Sequence, residues 1–405
     1  MKKLTVIAAD LGWHLLERRG RTAFAGLRFE PRPSVFPAVT CVAQASLRTG
    51  LSPAEHGMLS NGVWLDDLQK PSFWEQSARL VKGARIWSRN SGVFFFQQSL
   101  GEDVKLLVSP APIHKHGGGM VMSCYTKPTE MSGELQRRFG TFPLWRYWGP
   151  LASPKVGRKC IDWFEAMTDA HDVDEGYLYL PTLDYAAQKY GPDSPQDCAA
   201  LDELVHQVER LAALCEKRGC ALSVTGDYEI TPVTLPPVRP NVTLRQAGLF
   251  RTRSVAGMAY PDFYQSTAFA LCDHEFCILY GPDSAKARDL LLATGDYEEV
   301  SGFRPQESGE EPSNRKTVKP SNPSAGEPSN RQAVEPSNPR TILLAKRGGW
   351  CEYKWWADKR EAPDFASHVD IHNKPGYDPA ELFLFCRGTV RGTHGRPCQI
   401  AFAKA

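Results

Sequence analysis

The sequence predicts an α/β protein with a mainly parallel central sheet and helices on both faces. Residues 4–9 form an uninterrupted apolar run, which is typical of a parallel strand covered on both sides. Residues 177–180 and 221–225 are similar short runs, and between them apolar residues recur at helical spacing over 201–218, up to Gly219. Because a strand, a long helix and a second strand in this order indicate a βαβ unit, the two strands are expected to be parallel.

The composition is that of an ordinary enzyme, and it excludes several classes of protein. The 405 residues are 42% hydrophobic, 10% aromatic and 23% charged, with a formal net charge of +2. No strongly basic field therefore favours a nucleic-acid polymer as partner, and no run of eighteen apolar residues predicts a membrane span. The eleven cysteines lack zinc-finger spacing. Such an odd, unpatterned count favours reduced thiols and a cytoplasmic location over a disulfide framework.

The chain is expected to consist of a core and an inserted region. We predict a first part of the α/β core over residues 1–231, a smaller cap region over 232–369 and a return to the core over 370–405. Within the cap, Pro-Ser-Asn recurs every eight residues over about 305–340, with few large apolar side chains. Such a segment cannot bury enough surface to offset its ordering entropy, so we predict a disordered insertion.

Polar residues stand where the predicted strands end, at the edge where open α/β sheets build their sites. The segments contain Asp10, Thr40, Asp184 and Asp227. A single Asp after a strand is more often a helix cap or a turn residue. Several carboxylates in one cleft, however, repel each other and resist ionisation, and divalent cations are the simplest remedy. The set as a whole therefore predicts a metal site.

The order and spelling of these segments resemble the alkaline phosphatase superfamily, in particular its type I phosphodiesterase/nucleotide pyrophosphatase branch. That branch has a post-strand Asp, then Pro-Thr-x-Thr with the second Thr as nucleophile, then a His-Gly, a Pro-Asp-x-x-Gly-His segment, a Ser-Asp-His-Gly segment and a late His close to Gly-Tyr-Asp. The chain offers, in the same order, Asp10, Pro37-Ala38-Val39-Thr40, His56-Gly57 with Asn61, Asp184-Tyr185-Ala186-Ala187-Gln188, Gly226-Asp227-Tyr228-Glu229 and His372 before Gly376-Tyr377-Asp378. The resemblance covers nearly the whole chain apart from the Pro-Ser-Asn repeat.

The resemblance implies a hydrolase of phosphodiester, pyrophosphate or related phosphate-ester bonds, with an alkaline-phosphatase-like fold and two divalent metal ions. The residues it assigns to one ion are Asp184, Gln188 and His372, and those it assigns to the other are Asp10, Thr40, Asp227 and Tyr228. A Thr hydroxyl becomes a competent nucleophile when a cation stabilises its alkoxide. The resemblance therefore implies a phospho-threonine intermediate on Thr40. A helix that starts just after Thr40 would add its N-terminal amides to the anion site.

Two positions depart from the family pattern, because Gln188 and Tyr228 stand where the family has His. Both changes replace imidazole by oxygen donors. Within the implied set of Zn²⁺, Mn²⁺ and Mg²⁺, oxygen donors favour the harder Mn²⁺ and Mg²⁺. The same changes are compatible with a metal-poor relative that binds a phosphorylated ligand without turnover. A phosphomutase, which moves a phosphoryl group between hydroxyls, would use the same nucleophile.

Further residues are expected to bind the substrate, a small phosphorylated molecule for which a nucleotide is one candidate. Ala43 stands where the family carries an Asn that binds a phosphoryl oxygen, and the adjacent Gln44 is the expected substitute. His114 and Lys115 belong to a glycine-rich loop whose amides and ammonium group suit a phosphate. His274 follows an apolar run beside two carboxylates, Asp273 and Glu275, and is the remaining candidate, although a structural role in the cap region is favoured for it.

Three further features leave alternatives open. Asp370 competes with His372 as the late metal ligand, and His56 is expected to be a structural turn residue rather than a ligand. The aromatic residues within 350–356 either pack the core of the cap or stack on a base or sugar.

Overall fold

The structure is a computed structural model, and it describes residues 1–148, 151–300, 341–362 and 390–405. The Pro-Ser-Asn repeat therefore lies outside the described residues. Among the helices in the described ranges, none is both long and apolar enough to cross a membrane.

The β-strands of the described ranges are numbered in chain order. They are β1 (Lys3–Ala8), β2 (Ala23–Phe24), β3 (Leu27–Arg28), β4 (Glu30–Pro33), β5 (Gly62–Leu65), β6 (Lys70–Phe73), β7 (Ser91–Phe94), β8 (Leu106–Pro110), β9 (Ile113–His114), β10 (Met120–Val121), β11 (Cys124–Lys127), β12 (Glu175–Leu180), β13 (Ala221–Gly226), β14 (Thr231–Pro232), β15 (Thr252–Val255), β16 (Met258–Pro261), β17 (Phe269–Asp273), β18 (Phe276–Tyr280), β19 (Tyr297–Glu299), β20 (Thr341–Ala345), β21 (Gly392–Thr393) and β22 (Gln399–Lys404).

The α-helices of the same ranges alternate with these strands. They are α1 (Trp13–Arg18), α2 (Thr40–Thr49), α3 (Pro53–His56), α4 (Met131–Phe139), α5 (Leu144–Tyr147), α6 (Val156–Ala170), α7 (Ala186–Tyr190), α8 (Pro195–Arg218), α9 (Pro240–Gln246) and α10 (Ser284–Ala293).

The main sheet has the strand order β11-β8-β7-β12-β1-β13-β22-β4. Its central strands β8, β7, β12, β1 and β13 are parallel to one another, whereas β11, β22 and β4 pair antiparallel at the two edges. Residues Leu222 and Thr225 of β13 point to opposite faces. Leu222 lines a groove with Cys215 of α8, and Thr225 lines another with Leu47 of α2. The predicted α/β class is confirmed, with a sheet that is mixed at its edges.

The predicted βαβ elements are present with shifted bounds. The apolar run at the N-terminus forms β1, which lies between β12 and β13 in the sheet. Helix α8 begins at Pro195, before the first periodic apolar residue, because Ser194 Oγ accepts a hydrogen bond from Asp197 N (3.2 Å) and Pro195 fits the first helical turn. The helix ends at Gly219, whose φ of +64° suits a left-handed cap. The capping residue Ser194, rather than the spacing of the apolar residues, therefore sets the start of α8.

A second sheet has the order β17-β18-β20-β19 and is antiparallel throughout. Its side chains form one hydrophobic cluster with Val39, Cys41 and Val42, so this sheet packs against the start of α2. Of the four aromatic residues within 350–356, Tyr353, Trp355 and Trp356 are buried in the same cluster, and Trp350 is buried in a separate small cluster with Val390. Of the two alternatives for those aromatics, the structure places them in core packing. The division at residues 231 and 369 stays a prediction.

Several described cysteines lie in the core of the main sheet region. Cys124, Cys160 and Cys215 are buried free thiols, and burial raises the pKa of Cys124 and Cys160 well above its usual value. Buried thiols of this kind behave as small apolar side chains. They agree with the expected reduced state, and the cytoplasmic location stays a prediction.

Candidate active site

Two acidic residues meet where β1 and β13 end side by side. The register pairs Ala8 with Gly226, so Asp10 and Asp227 follow neighbouring strand ends. Asp227 Oδ1 accepts a hydrogen bond from Asp10 N (2.9 Å), and this bond holds Asp10 in a left-handed conformation with φ of +58°. Gly226 is required here, because a Cβ at that position would lie 2.0 Å from the carbonyl oxygen of Leu11.

These two carboxylates are buried and largely unsatisfied. Both side-chain oxygens of Asp10 and Oδ2 of Asp227 have no hydrogen-bond partner among the described residues. Burial, and then the nearby carboxylates of Asp184 and Asp227, raise the pKa of Asp10 well above its usual range. Burial also raises the pKa of Asp227 to about 7. Since buried carboxylates need protons or cations, the oxygen-rich donor set fits a hard divalent cation.

The threonine that the sequence singled out lies beside this pair. Thr40 is the first residue of α2, rather than the residue before it, and Val39 precedes it in extended conformation. Its Oγ1 lies 3.0 Å from the hydroxyl of Tyr228, which follows Asp227. Burial first, and then the acidic neighbours, raise the pKa of Tyr228 well above its usual value, so the phenol keeps its proton. Its role as a metal ligand stays a prediction, and the observed contact is with Thr40.

Asp184 and Gln188 form the other part of the site. Asp184 follows β12, and Gln188 lies one turn further on in α7. The amide nitrogen of Gln188 donates to Asp184 Oδ1 (3.0 Å). Gln188 is buried, whereas Asp184 is partly exposed. The neutral amide thus contacts the carboxylate directly.

His394 was not singled out by the sequence, yet it lies directly against Tyr228 of the site. Its ring stacks on that of Tyr228, with centroids 3.9 Å apart. Nδ1 donates to the carbonyl of Ala38 (3.0 Å), which leaves Nε2 with its lone pair. Burial lowers the pKa of His394 to about 3, so the ring is neutral. The same segment reaches Gln188, whose carbonyl accepts from Arg391 N (3.0 Å). A neutral imidazole therefore lies against Tyr228, and the segment that carries it also contacts the backbone of Gln188.

The resemblance assigns the family's late histidine by its neighbours in sequence. It points to His372 because Gly376-Tyr377-Asp378 follows, and both His372 and its competitor Asp370 lie outside the described residues. His394 is followed by Gly395 without the Tyr-Asp. A His-Gly pair near the C-terminus was the one available signal for it.

The expected substrate-binding residues fall in different places. Gln44 is fully buried one turn after Thr40, and its Oε1 accepts from Gln97 N (2.7 Å), while its Nε2 has no partner among the described residues. His114 and Lys115 belong to the hairpin formed by β9 and β10, where Lys115 is exposed and its backbone N bonds to Gly119 (3.0 Å). The described hydrogen bond of Thr40 is with Tyr228 and not with this hairpin. Both assignments stay predictions.

His274 does reach the site region, through a turn rather than a strand. It lies between β17 and β18 with φ of +54°, in the turn that joins these two strands. Its buried ring lies 3.6 Å from that of His394, centroid to centroid. Three rings, of His274, His394 and Tyr228, therefore connect the second sheet with the hydroxyl of Thr40. Direct contact of His274 with substrate stays a prediction.

His56 and Asn61 occupy structural positions next to α2. His56 is buried, ends α3, and its Nε2 lies 2.9 Å from Ser46 Oγ, which agrees with a structural role. Asn61, which the motif contained without a role, accepts a hydrogen bond from Cys41 N (3.0 Å), one residue after Thr40. The sequence predicts an amide at Gln44, whereas the structure brings the amide of Asn61 to the first turn of the helix.

The described residues contain no group of three or more His, Cys, Asp or Glu side chains in metal-ligand geometry. Gln188 and Tyr228 replace two imidazoles, and His372 lies outside the described ranges. The unpaired oxygens of Asp10 and Asp227 are the feature that fits a cation.

A comparison with family models identifies one family, and a comparison with solved structures finds proteins of similar fold. The family model of type I phosphodiesterase / nucleotide pyrophosphatase matches residues 14–378. Murine ectonucleotide pyrophosphatase/phosphodiesterase 5 is similar in structure with a TM-score of 0.54 and 15% identity, over 100% of this chain and 88% of that one. Phosphonoacetate hydrolase from Sinorhizobium meliloti 1021, solved with phosphonoformate, has a TM-score of 0.57 and 14% identity, over 100% of this chain and 89% of that one. An inactive variant of the murine protein with AMP has a TM-score of 0.53 and 15% identity, over 100% of this chain and 87% of that one. No curated protein matches the chain in sequence.

Proposed function

The chain belongs to the type I phosphodiesterase / nucleotide pyrophosphatase family, a family of phosphoric ester hydrolases, and we propose that it cleaves phosphodiester or pyrophosphate bonds through a phospho-Thr40 intermediate. One observation carries this proposal. The Thr40 hydroxyl, at the start of α2, contacts Tyr228 beside two buried carboxylates with unpaired oxygens. A hydroxyl held in this way next to a candidate cation site is the arrangement that an activated nucleophile needs.

In the proposed reaction, Thr40 Oγ1 attacks phosphorus in line with the leaving group. The new bond joins Oγ1 to phosphorus, the bond from phosphorus to the leaving oxygen breaks, and the hydroxyl proton of Thr40 passes through solvent to the leaving group. Water then attacks phosphorus and the bond from phosphorus to Oγ1 breaks. One proton of that water passes to Oγ1, and the phosphorylated product leaves. Tyr228 orients Oγ1 through its 3.0 Å hydrogen bond, and its ring is held in turn by stacking on His394.

Asp10 and Asp227 are the residues that we propose to hold one divalent cation, and Asp184, whose charge acts on Asp10, is the residue that we propose to hold a second one. A bound cation supplies positive charge that stabilises the threonine alkoxide and the charge developing on the phosphoryl oxygens. Their oxygen donors favour Mn²⁺ or Mg²⁺. His394 Nε2 is a further candidate donor, because its other nitrogen is committed to Ala38.

The substrate is proposed to be a small phosphorylated molecule, with nucleotides among the candidates. The murine relative was solved with AMP and the bacterial one with phosphonoacetate. The region over 232–369 is proposed to select the leaving group. The ring contacts of His274 support this, because they bring a turn of the second sheet to the site.

A second candidate function is a relative that binds phosphorylated ligands without turnover. Gln188 and Tyr228 favour it, since they replace two imidazoles and since the amide of Gln188 already contacts Asp184. This alternative predicts a protein that retains the phosphate site and lacks activity.

Metal analysis combined with two chromogenic assays separates the two candidates. Purified protein is analysed for bound metal and then assayed with bis-p-nitrophenyl phosphate and p-nitrophenyl phosphate in the presence of Mn²⁺, Mg²⁺ or Zn²⁺. We expect metal-stimulated hydrolysis that EDTA abolishes. Absence of both bound metal and turnover under every condition would establish the non-hydrolytic candidate instead.

A further inference from the structure

A chain of hydrogen bonds connects the second sheet with the residue next to Thr40. Asp273, the last residue of β17, is fully buried. Its Oδ2 accepts from the backbone N of Asn61 (2.7 Å), and its Oδ1 accepts from the side-chain Nδ2 of the same residue (3.2 Å). Asn61 Oδ1 in turn accepts from Cys41 N (3.0 Å). Three hydrogen bonds therefore link Asp273 to the first turn of α2.

This link matters because α2 has no cap of its own. Val39 precedes the helix and makes no side-chain cap hydrogen bond. The first amides of a helix have no partner within it, and Asn61 supplies one for Cys41 from outside the helix. A Val39 side chain cannot do so, since it carries no acceptor. The start of α2, and with it Thr40, is therefore held by a residue that does not belong to the helix.

Asp273 also fixes which way the amide of Asn61 points. Oxygen and nitrogen of an amide side chain differ only in their partners. A carboxylate can accept hydrogen bonds but cannot donate them, so Asp273 must face Nδ2, and Oδ1 must then face Cys41 N. The oxygens of Asp273 on one side and the donor Cys41 N on the other thus hold the amide of Asn61 in one of its two orientations.

We propose that Asp273 is a positioning residue, which orients Asn61 against Cys41 N and thereby holds Thr40 in the geometry for attack. The inference rests on the proposed role of Thr40 as nucleophile. It assigns the second sheet a part in catalysis that is separate from substrate selection. Because a small displacement of a reacting group lowers the rate strongly, loss of the link is expected to lower kcat more than it changes KM.

The test begins with Asp273→Asn, which keeps the size of the side chain. Asp273 accepts from two donors of Asn61, its backbone N and its Nδ2, whereas the single oxygen of the variant can accept on only one side. The amide nitrogen of the variant then faces the other donor, so one of the two hydrogen bonds that hold Asn61 is lost. We expect kcat for bis-p-nitrophenyl phosphate to fall about tenfold, with KM changed less than twofold. The matched control is Glu352→Gln, another buried carboxylate of the same region that pairs with Arg239 and Lys354. We expect the control to lower Tm and to leave kcat unchanged.

Asn61→Ala breaks the same link from its other end, and it keeps the inference testable if the first variant does not fold. We expect a similar loss of kcat, and we expect the double variant with Asp273→Asn to be no slower than Asn61→Ala alone, because the two residues act as a unit. A wild-type kcat in either folded single variant, or additive losses in the double variant, would overturn the inference.

A further variant separates this inference from the proposed function. If Thr40→Ala is inactive while Asp273→Asn is fully active, the positioning role fails and the nucleophile assignment stands. If Thr40→Ala retains wild-type activity, the proposed function itself fails.

Discussion

The two parts of the site differ in how far the protein satisfies its own polar groups. The Asp227 half consists of Asp10, Thr40, Asp227 and Tyr228. All four are nearly inaccessible, with exposed fractions between 1% and 4%, yet three carboxylate oxygens have no partner among the described residues. In the Asp184 half, which consists of Asp184 and Gln188, the amide donates directly to a partly exposed carboxylate.

The difference indicates where a cation is needed. Burying unpaired carboxylates is costly unless a positive charge compensates them, so the Asp227 half has a strong requirement for a cation. A neutral amide already supplies the Asp184 half with one hydrogen-bond donor. We therefore expect substitutions in the Asp227 half to have larger effects on activity and metal binding than substitutions in the Asp184 half.

The largest effect is expected for Thr40→Ala, which removes the nucleophile from the Asp227 half. We expect kcat to fall by at least about a thousandfold, because no other group forms the covalent intermediate. The matched control is Thr49→Ala in the same helix, whose hydroxyl bonds to Ala45 O (2.7 Å) away from the carboxylates. Steady-state kinetics and circular dichroism of both variants provide the measurement. Equal activity in the two variants would exclude Thr40 as nucleophile.

The next largest effect is expected for substitutions of the two carboxylates in the Asp227 half, measured against a substitution in the Asp184 half. Asp10→Asn and Asp227→Asn each remove a charge from the proposed cation site, and we expect kcat/KM to fall about 100-fold and bound metal to decrease. Gln188→Ala removes only the amide contact with Asp184, and we expect a loss of about threefold. Metal analysis with kinetics of the three variants tests this ranking. Unchanged metal content in both Asp variants would refute their assignment as ligands.

A smaller effect is expected for Tyr228→Phe, which keeps the ring that stacks on His394. The variant loses the hydrogen bond to Thr40, and one such bond corresponds to about a tenfold decrease in kcat. Tyr177→Phe is the control, since that hydroxyl bonds to Glu175 (2.7 Å) at the start of β12, whereas the site follows the other end of this strand. If both variants lose the same activity, the contact with Thr40 has no catalytic role.

The smallest effect concerns stability without metal. Burial raises the pKa of Asp227 to about 7, whereas an unfolded Asp has a pKa of about 3.9. Between these values the folded carboxyl keeps a proton that the unfolded one has lost, so rising pH lowers the free energy of unfolding. In EDTA, the Tm of the wild type relative to Asp227→Asn should fall by roughly 4 °C from pH 5 to pH 7. A difference in Tm that does not change with pH would show that Asp227 is ionised throughout.

Local patterns in the sequence predict the three adjacent central strands β12, β1 and β13 of the main sheet and the acidic residues that follow them. The apolar run that forms β1, the helix periodicity of α8 and Asp10 directly after its strand each depend on neighbours in sequence. Pairing between strands that are far apart in sequence does not follow from such local patterns. His394 reaches the site because β21 pairs with β14, and no local pattern encodes this pairing.

Local patterns in the sequence also do not predict the polar contacts around α2. Gln44 is expected at the substrate because it lies one turn after Thr40, but its oxygen bonds to the backbone of Gln97 instead. The amide at the first turn comes from Asn61, held by Asp273 across 212 residues of chain. Which of two amides contacts a helix end depends on packing between distant segments, and the sequence motif could not distinguish them.

The stereochemistry of hydrolysis at phosphorus tests the central claim most directly. Each in-line displacement inverts the configuration, so attack by Thr40 followed by attack of water gives net retention. A phosphorothioate diester of known configuration, hydrolysed in water labelled with heavy oxygen, reports the outcome. We predict retention of configuration in the product. Inversion would mean that water attacks the substrate directly, and it would contradict a phospho-Thr40 intermediate.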